Sequence, residues 1–369
     1  MPDTAGNDLN HMRAALALAR RGLGTTWPNP SVGCVIVQGD RVIGRGYTAN
    51  GGRPHAEPTA LSMAGEAAHG ATAYVTLEPC CHWGRTPPCT DALIQAGVAR
   101  VVIAALDPDE RVDSQGAARL RAAGIAVEQG LLEAEAREDL AGFILRVTRH
   151  RPLITLKLAT TLDGKIATGT GESQWITGPE ARRMAHVLRG RHDAVLAGVG
   201  TVLADDPALT CRLPGFRAIP AVRVIVDSHL RTPLTSTLAR TAREAPVWFL
   251  TRDGTDPARV EAFTALGATV LRVASGAMGI DMADGMRALA KAGLTRVLVE
   301  GGGQVAASLA RDGLIDRIAW FHAPAVMGGD GWPGVRSFGI ETLAMMPRFI
   351  RQRVTPLGSD MLTEFKRPT

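Results

Sequence analysis

Apolar runs of about six to eight residues recur along the whole chain, and most are followed by a stretch whose apolar positions return every three to four residues. That alternation predicts an α/β protein. Residues 8–22 read as a helix, SVGCVIV (31–37) as a buried strand, RVIGRGY (41–47) as its hairpin partner, and 56–69 as an Ala-rich helix. ATAYVTL (71–77) is a strand that runs straight into TLEPCCHWGRTPPCT (76–90). TDALIQAGV (90–98) is a helix ended by Gly97, RVVIAAL (100–106) a strand, and 116–123 a helix stopped at Gly124. Strand-then-helix order places helices on the faces of a parallel or mixed sheet.

Residues 131–149 form a long helical pattern that ends just before Arg151-Pro152, where the strand LITLKLA begins at once. The residue before a proline disfavours helix, so a domain boundary is expected near 150. A chain of 369 residues also exceeds what one hydrophobic core usually serves. Two domains are therefore expected, 1–150 and 151–369. The second alternates again: helix 179–190, strands 193–198, 222–228 and 247–250, helices near 257–266 and 281–292, strand 296–300, helix 303–312 and strand 317–323. No repeat or low-complexity tract interrupts the pattern.

Composition narrows the class. Charged residues at 21% and hydrophobic residues at 46% suit a globular protein, and the apolar runs are too short to cross a membrane. The N-terminus is polar, then amphipathic, with no apolar block or small-residue cleavage site, so a cytoplasmic protein is expected. The formal charge of +5 comes from scattered basic residues, and no block of five or six like charges marks a nucleic-acid tail. Phosphorylated small molecules fit such a balance equally well. Five cysteines, three of them within 80–89, are an odd and clustered set, which favours metal binding or catalysis over a disulfide framework.

A catalytic zinc takes three protein ligands and leaves a fourth position for water. Cys80 and Cys89 are two thiolate candidates after a strand end, the second opening a helix whose free N–H groups favour negative charge. Pro79, Pro87 and Pro88 stiffen the loop between them. PHAEP (54–58) supplies His55 as the third ligand, with Glu57 two residues on as a carboxylate that reaches the water without binding the metal. A lone H-x-E recurs by chance on many helices. Followed in order by P-C and a second cysteine, it matches the zinc nucleobase-deaminase signature, except that eight residues separate the cysteines where the signature has two.

HAE with TLEPC and GRTPPC, and WPNPSVGCVIV upstream, resemble the deaminase half of the bifunctional pyrimidine deaminase/reductases of riboflavin biosynthesis. TLKLATTLDGKIA (155–167) and GESQWITG (171–178) resemble the reductase half, so the likeness covers nearly the whole chain. It implies an N-terminal cytidine-deaminase-like three-layer domain and a C-terminal dihydrofolate-reductase-like domain. It also implies zinc on His55, Cys80 and Cys89, with Glu57 moving protons. Asn29 and Asp107 become pocket candidates, and at Asp109 the family often has Asn. Cys81, where the family usually has Ser, reads as a non-ligand neighbour, and His82 as a loop side chain. Arg85 suits a substrate phosphate, although an exposed loop arginine is the plain alternative.

In the second half LVEGGGQVAASLARDG (298–313) places glycines between a strand and a helix, where backbone N–H groups make an anion site. LAGVGTVLADDPALT (196–210) offers a similar turn. VIVDSHLR (224–231) ends a strand with Ser228, His229 and Arg231, which suit a 2′-phosphate and so NADPH. The resemblance implies NADPH contacts from Ala159, Trp175, Thr201, Asp205, Ser228, Gly302, Gly303 and Gln304, and substrate contacts from Ser173, Arg189, Leu209, Arg212 and Glu300. Arg189 and Arg212 read as phosphate anchors and Glu300 sits at a strand's C-terminal end. Trp175 reads equally as core packing, and Lys157 with Asp163 equally as a structural salt bridge.

These readings point to a phosphorylated pyrimidine as substrate of a deaminase followed by an NADPH-dependent reductase, with a dimer or tetramer implied by the resemblance. One alternative is a zinc deaminase acting on nucleic acid with a non-catalytic second domain, which two Tyr and eight Phe support poorly. Another is a zinc-stabilised binding protein, which a three-ligand site beside Glu57 disfavours because structural zinc takes four ligands.

Overall fold

A computed structural model describes residues 4–109, 112, 114–216, 219–277 and 279–368, with side chains from Asn7 onward. The chain forms two compact units, Met1–His150 and Arg151–Thr369.

The first unit runs α1 (Thr4–Ala19), β1 (Gly33–Gln38), β2 (Arg41–Tyr47), α2 (Ala56–Ala64), β3 (Thr72–Leu77), α3 (Cys89–Gln95), β4 (Arg100–Ala105), α4 (Gln115–Ala122), β5 (Ala126–Gln129) and α5 (Glu133–Arg149). Its sheet has the order β2-β1-β3-β4-β5. β1 pairs antiparallel with β2 and β3, whereas β3, β4 and β5 run parallel. Side chains alternate across β1: Cys34 and Ile36 join Ala56, Ala60, Leu93 and Leu120 on one face, while Val35 and Val37 join Met12, Ala15 and Leu16 on the other. Helices therefore cover both faces, and the central strands are apolar throughout.

The second unit contains β6 (Leu153–Thr160), α6 (Pro179–Gly190), β7 (Ala194–Gly198), α7 (Val199–Asp205), β8 (Val222–Val226), β9 (Val247–Arg252), α8 (Pro257–Ala265), β10 (Thr269–Val273), α9 (Met282–Lys291), β11 (Arg296–Glu300), α10 (Gly303–Arg311), β12 (Arg317–His322), β13 (Ile350–Leu357) and β14 (Asp360–Lys366). These strands form one nine-stranded sheet in the order β10-β9-β8-β7-β11-β6-β12-β14-β13. The pairs from β10 through to β12 are parallel, and β14 and β13 close the sheet antiparallel. Phe249 and Phe263 meet at 4.5 Å between ring centroids within one buried cluster. At the start of β7, buried Asp193 accepts hydrogen bonds from the N–H and hydroxyl of Thr295 at 2.6 and 2.7 Å and from Arg296 N–H at 2.9 Å. These bonds fix where β11 begins beside it.

The apolar periodicity located the central strands and most helices within a few residues. It missed β5, α7, β10 and the hairpin β13–β14. β5 and β13 are edge strands whose residues are largely exposed, so no apolar alternation marks them. The helix expected over 56–69 ends at Ala64, and Gly65 takes a φ of 57°. Among the described residues no helix is long and apolar enough to cross a membrane.

Gly33 permits the closest approach in the first unit: a Cβ there would lie 1.9 Å from the Ala15 carbonyl oxygen and 2.8 Å from Ala19 N, both backbone of α1. Gly33→Ala is expected to destabilise this unit by about 2–4 kcal/mol, seen as a lower denaturant midpoint in chemical unfolding followed by circular dichroism.

Candidate active sites

In the first unit three segments meet at the C-terminal end of β3. His55 is the residue before α2, in extended conformation. Cys80 lies just past β3, and Cys89 opens α3 after Pro88. The carbonyl of Cys80 accepts both the N–H and the hydroxyl of Thr90 at 3.2 Å, and the Cys89 N–H points at Cys80 Sγ at 3.3 Å. His55 Nδ1 stands 3.3 Å from Cys89 Sγ and 3.8 Å from Cys80 Sγ, with all three donor atoms within 4.8 Å of one another.

That spacing fits zinc. Tetrahedral zinc with ordinary Zn–S and Zn–N lengths separates its donor atoms by ~3.5–3.8 Å. The two sulfurs are not joined in a disulfide, and no fourth ligand joins the group among the described residues, so Cys81 stands outside it. Hydrogen bonding from Cys89, then from the His55 ring, holds the Cys80 thiol below its usual range, while that partner and burial push Cys89 up. Glu57, 3% exposed in the first turn of α2, has its carboxyl pushed up to about 7 by burial and by the charge of Cys80. A dication at the cluster would oppose that rise.

Asn29 donates its amide to the Gly52 carbonyl at 2.8 Å and lies 3.2 Å from His55 Nε2, the ring nitrogen turned away from the sulfurs. The structure thus sets the Asn29 amide beside the imidazole of His55, at the edge of the cluster. Arg85 is exposed in the loop between the cysteines, and Trp83 beside it is 73% exposed. His82 Nδ1 is buried without a hydrogen-bond partner among the described residues.

Sequence reasoning passed over Glu78. Its buried carboxylate accepts the N–H groups of Asp107 at 3.3 Å, Ser114 at 3.1 Å and Ala117 at 2.9 Å. It thereby ties the loop after β4 to the strand that leads to Cys80. The available signal was a carboxylate ending an apolar strand immediately before Pro79. Asp107, carried by that loop, accepts the Asp109 N–H at 2.9 Å, and burial pushes its carboxyl up to about 7.

In the second unit the candidates gather at the C-terminal ends of β6, β7, β8 and β11, where α/β folds place ligand sites. Gly301 and Gly302 have φ of 93° and 84°. A Cβ on Gly301 would lie 3.2 Å from Thr201 Oγ1, and one on Gly302 3.8 Å from Gly198 N. The two glycine-bearing turns expected to approach a dinucleotide therefore lie side by side, with Gly303 and Gln304 in the first turn of α10. Ala159 is on β6, half-buried. Asp205 is exposed at the end of α7, its carboxyl raised by burial, while neighbouring Asp206 binds the N–H and hydroxyl of Thr237, both at 2.8 Å. Ser228 is half-buried just after β8, with His229 and Arg231 exposed on the same loop.

Arg189 makes a bidentate ion pair with Glu300 at 2.6 and 2.8 Å and donates to the Thr210 carbonyl at 3.0 Å. Its charge is thus matched within the protein. Arg212 is exposed and its backbone N–H binds His186 Nδ1 at 3.3 Å, and among the described residues its guanidinium makes no ion pair. Leu209 is 4% exposed with its side chain in the core and a φ of 51°, so the main chain is what it offers a ligand. Ser173 is half-buried in the segment that leads into α6, and Trp175 is 66% exposed under the Arg182 guanidinium at 4.4 Å, which removes core packing as its role.

Lys157 and Asp163 form no salt bridge with each other. Lys157 Nζ sits 5.9 Å from the Phe321 ring centre, its pKa lowered by burial against the pull of Glu300. Asp163 instead accepts the Thr161 hydroxyl at 2.6 Å and the N–H groups of Met327 and Gly328 at 3.1 and 2.7 Å, pinning one loop to another.

Comparison with known proteins agrees with this division. Residues 6–105 match the cytidine and deoxycytidylate deaminase zinc-binding region, and residues 152–363 match the RibD C-terminal domain. The riboflavin biosynthesis protein RibD of Aquifex aeolicus is 44% identical over 360 residues, 98% of each chain. That of Escherichia coli is 41% identical, over 96% of this chain and 98% of the relative. A solved RibD structure from Acinetobacter baumannii, 36% identical, superposes with a TM-score of 0.88 over 99% of both chains. A Thermotoga maritima structure described as a diaminohydroxyphosphoribosylaminopyrimidine deaminase/5-amino-6-(5-phosphoribosylamino)uracil reductase is 34% identical, with a TM-score of 0.84 over 98% of this chain and 99% of that one. The first unit is accordingly a cytidine-deaminase-like three-layer domain and the second a dihydrofolate-reductase-like domain. Matched over nearly its full length on both units, the chain belongs to the RibD family of riboflavin biosynthesis proteins.

Proposed function

We propose that the chain is a bifunctional enzyme of riboflavin biosynthesis. It deaminates 2,5-diamino-6-(5-phosphoribosylamino)pyrimidin-4-one by hydrolysis, then reduces the ribosyl group to ribityl with NADPH, giving 5-amino-6-(5-phosphoribitylamino)uracil. The observation that carries the first activity is the cluster of His55, Cys80 and Cys89 with the buried carboxylate of Glu57 beside it. The reductase reading rests on family membership and on the paired glycine turns of the second unit.

Zinc held by His55, Cys80 and Cys89 would supply an activated water as nucleophile at neutral pH. Glu57 accepts the proton of that water and delivers it to the departing amino group, so ring C–N is exchanged for C–O and ammonia leaves. Asn29, beside the His55 ring, contacts the substrate, and Arg85, exposed in the loop between the cysteines, meets the substrate phosphate. In the second unit Ala159, Trp175, Thr201, Asp205, Ser228 and the Gly302–Gln304 turn bind NADPH. There Ser173, Arg212, Glu300 and the Leu209 main chain hold the pyrimidine product, with Arg189 orienting Glu300. NADPH held there would supply hydride to C1′ of the opened ribosyl group, chemistry that asks the protein chiefly for position. The same reading makes the protein a cytoplasmic dimer or tetramer that acts on a phosphorylated pyrimidine and needs neither nucleic acid nor membrane.

Metal analysis of the purified chain is expected to find about one zinc per chain, lost in Cys89→Ala. Glu57→Gln should retain the metal and lower ammonia release roughly 100-fold or more, and a variant that deaminates normally would remove Glu57 as the proton carrier. NADPH oxidation should appear only with the deaminated pyrimidine. Ser228→Asp should raise the KM for NADPH about tenfold or more through repulsion of its phosphate, measured by absorbance of the reduced nicotinamide.

A further inference from the structure

The loop after β8 is tied down from behind at several of its backbone groups. Asp227, with no accessible surface, accepts hydrogen bonds from Arg231 N–H at 2.9 Å and from the N–H and hydroxyl of Thr232, both at 2.8 Å. The Ser228 carbonyl takes the hydroxyls of Thr251 and Thr255 at 3.2 and 3.3 Å. Arg259 of α8, its guanidinium 5.3 Å from the Phe263 ring centre, donates Nε to the Leu230 carbonyl at 3.0 Å and Nη2 to the Thr232 carbonyl at 2.7 Å. Leu230 is wholly buried at a φ of 51°, a conformation that a residue with a Cβ keeps only where its surroundings over-determine it.

This effort leaves three side chains on the outer side of the loop, Ser228 half-buried and His229 and Arg231 exposed. Gly279, at a φ of 127°, closes on the first of them: a Cβ there would lie 2.4 Å from Ser228 Oγ. A hydroxyl, an imidazole and a guanidinium on a rigid turn at the end of a central parallel strand form a donor set for a phosphate monoester. Both Asp227 oxygens are spent on the loop itself, so its charge is used inward.

We propose that Asp227 and Arg259 are positioning residues that preset the Ser228–Arg231 loop for the 2′-phosphate of the dinucleotide, and so set the preference for NADPH over NADH. The proposal rests on the reductase reading above. Asparagine at 227 keeps the shape but turns one acceptor into a donor facing donors, and lysine at 259 cannot hold two carbonyls with a planar fork.

The test is steady-state reduction by the full chain with NADPH and with NADH as the varied cofactor, and inhibition by adenosine 2′,5′-bisphosphate as the phosphate probe. In Asp227→Asn and Arg259→Lys, the KM for NADPH and the inhibition constant of the bisphosphate should each rise about tenfold, with the KM for NADH and the kcat within about twofold of the parent. A merely structural role would lower the active fraction and leave the ratio of the two KM values unchanged; that result in the variants that fold overturns the proposal. Should Asp227→Asn fail to fold, Arg259→Lys, whose side chain is half-exposed, decides alone. A parent enzyme that shows no preference between the cofactors and no inhibition by the bisphosphate would overturn the cofactor reading itself, an outcome separable from the first.

Discussion

One imidazole nitrogen and two sulfurs, held within 4.8 Å of one another where a strand end meets two helix starts, set the terms for the first unit. Gathering such donors with a buried carboxylate is unfavourable without a cation, because each charged form loses its water. The fold offsets this locally. Thr90 fixes the Cys80 carbonyl, the Cys89 N–H points at Cys80 Sγ, and the prolines of the intervening loop limit the backbone freedom through which the sulfurs could separate. A dication held by these donors would offset the cost of gathering their charges.

The second unit shows a related economy with carboxylates. Asp193, Asp206, Asp163 and Asp227 each spend their oxygens on backbone N–H groups or hydroxyls at loop turns. Glu78 does the same in the first. A hydrogen bond to a charged acceptor is worth about 1.5–3 kcal/mol, more than a neutral one, and it fixes two or three N–H groups at once. Loops that carry candidate ligand contacts are thereby made as definite as the strands they follow. Arg189 and Glu300 extend the principle to a buried pair, in which each partner orients the other.

Apolar strands and the helices that cover them were legible because burial on two faces demands an unbroken apolar run and burial on one demands a period near 3.6. β13 was not, since IRQRVTPL sits at a sheet edge with most side chains in water and shows neither pattern. α7 was hidden for another reason. VGTVLAD is short and follows β7 without a break, so its apolar residues read as a continuation of the strand and turn.

The chemistry of the cluster lay in the sequence: residue types with metal affinity, their order, and prolines that restrict the chain between them are local facts. So were the glycines that let two turns approach each other. What each polar side chain faces was decided only by the tertiary structure. Arg189 meets Glu300 across 111 positions, Asn29 meets His55 across 26, Leu209 turns into the core, and Trp175 turns out of it. Hydrogen bonds and ion pairs act over a few ångströms between atoms brought together by the packing of the whole unit, and sequence separation carries no record of that distance.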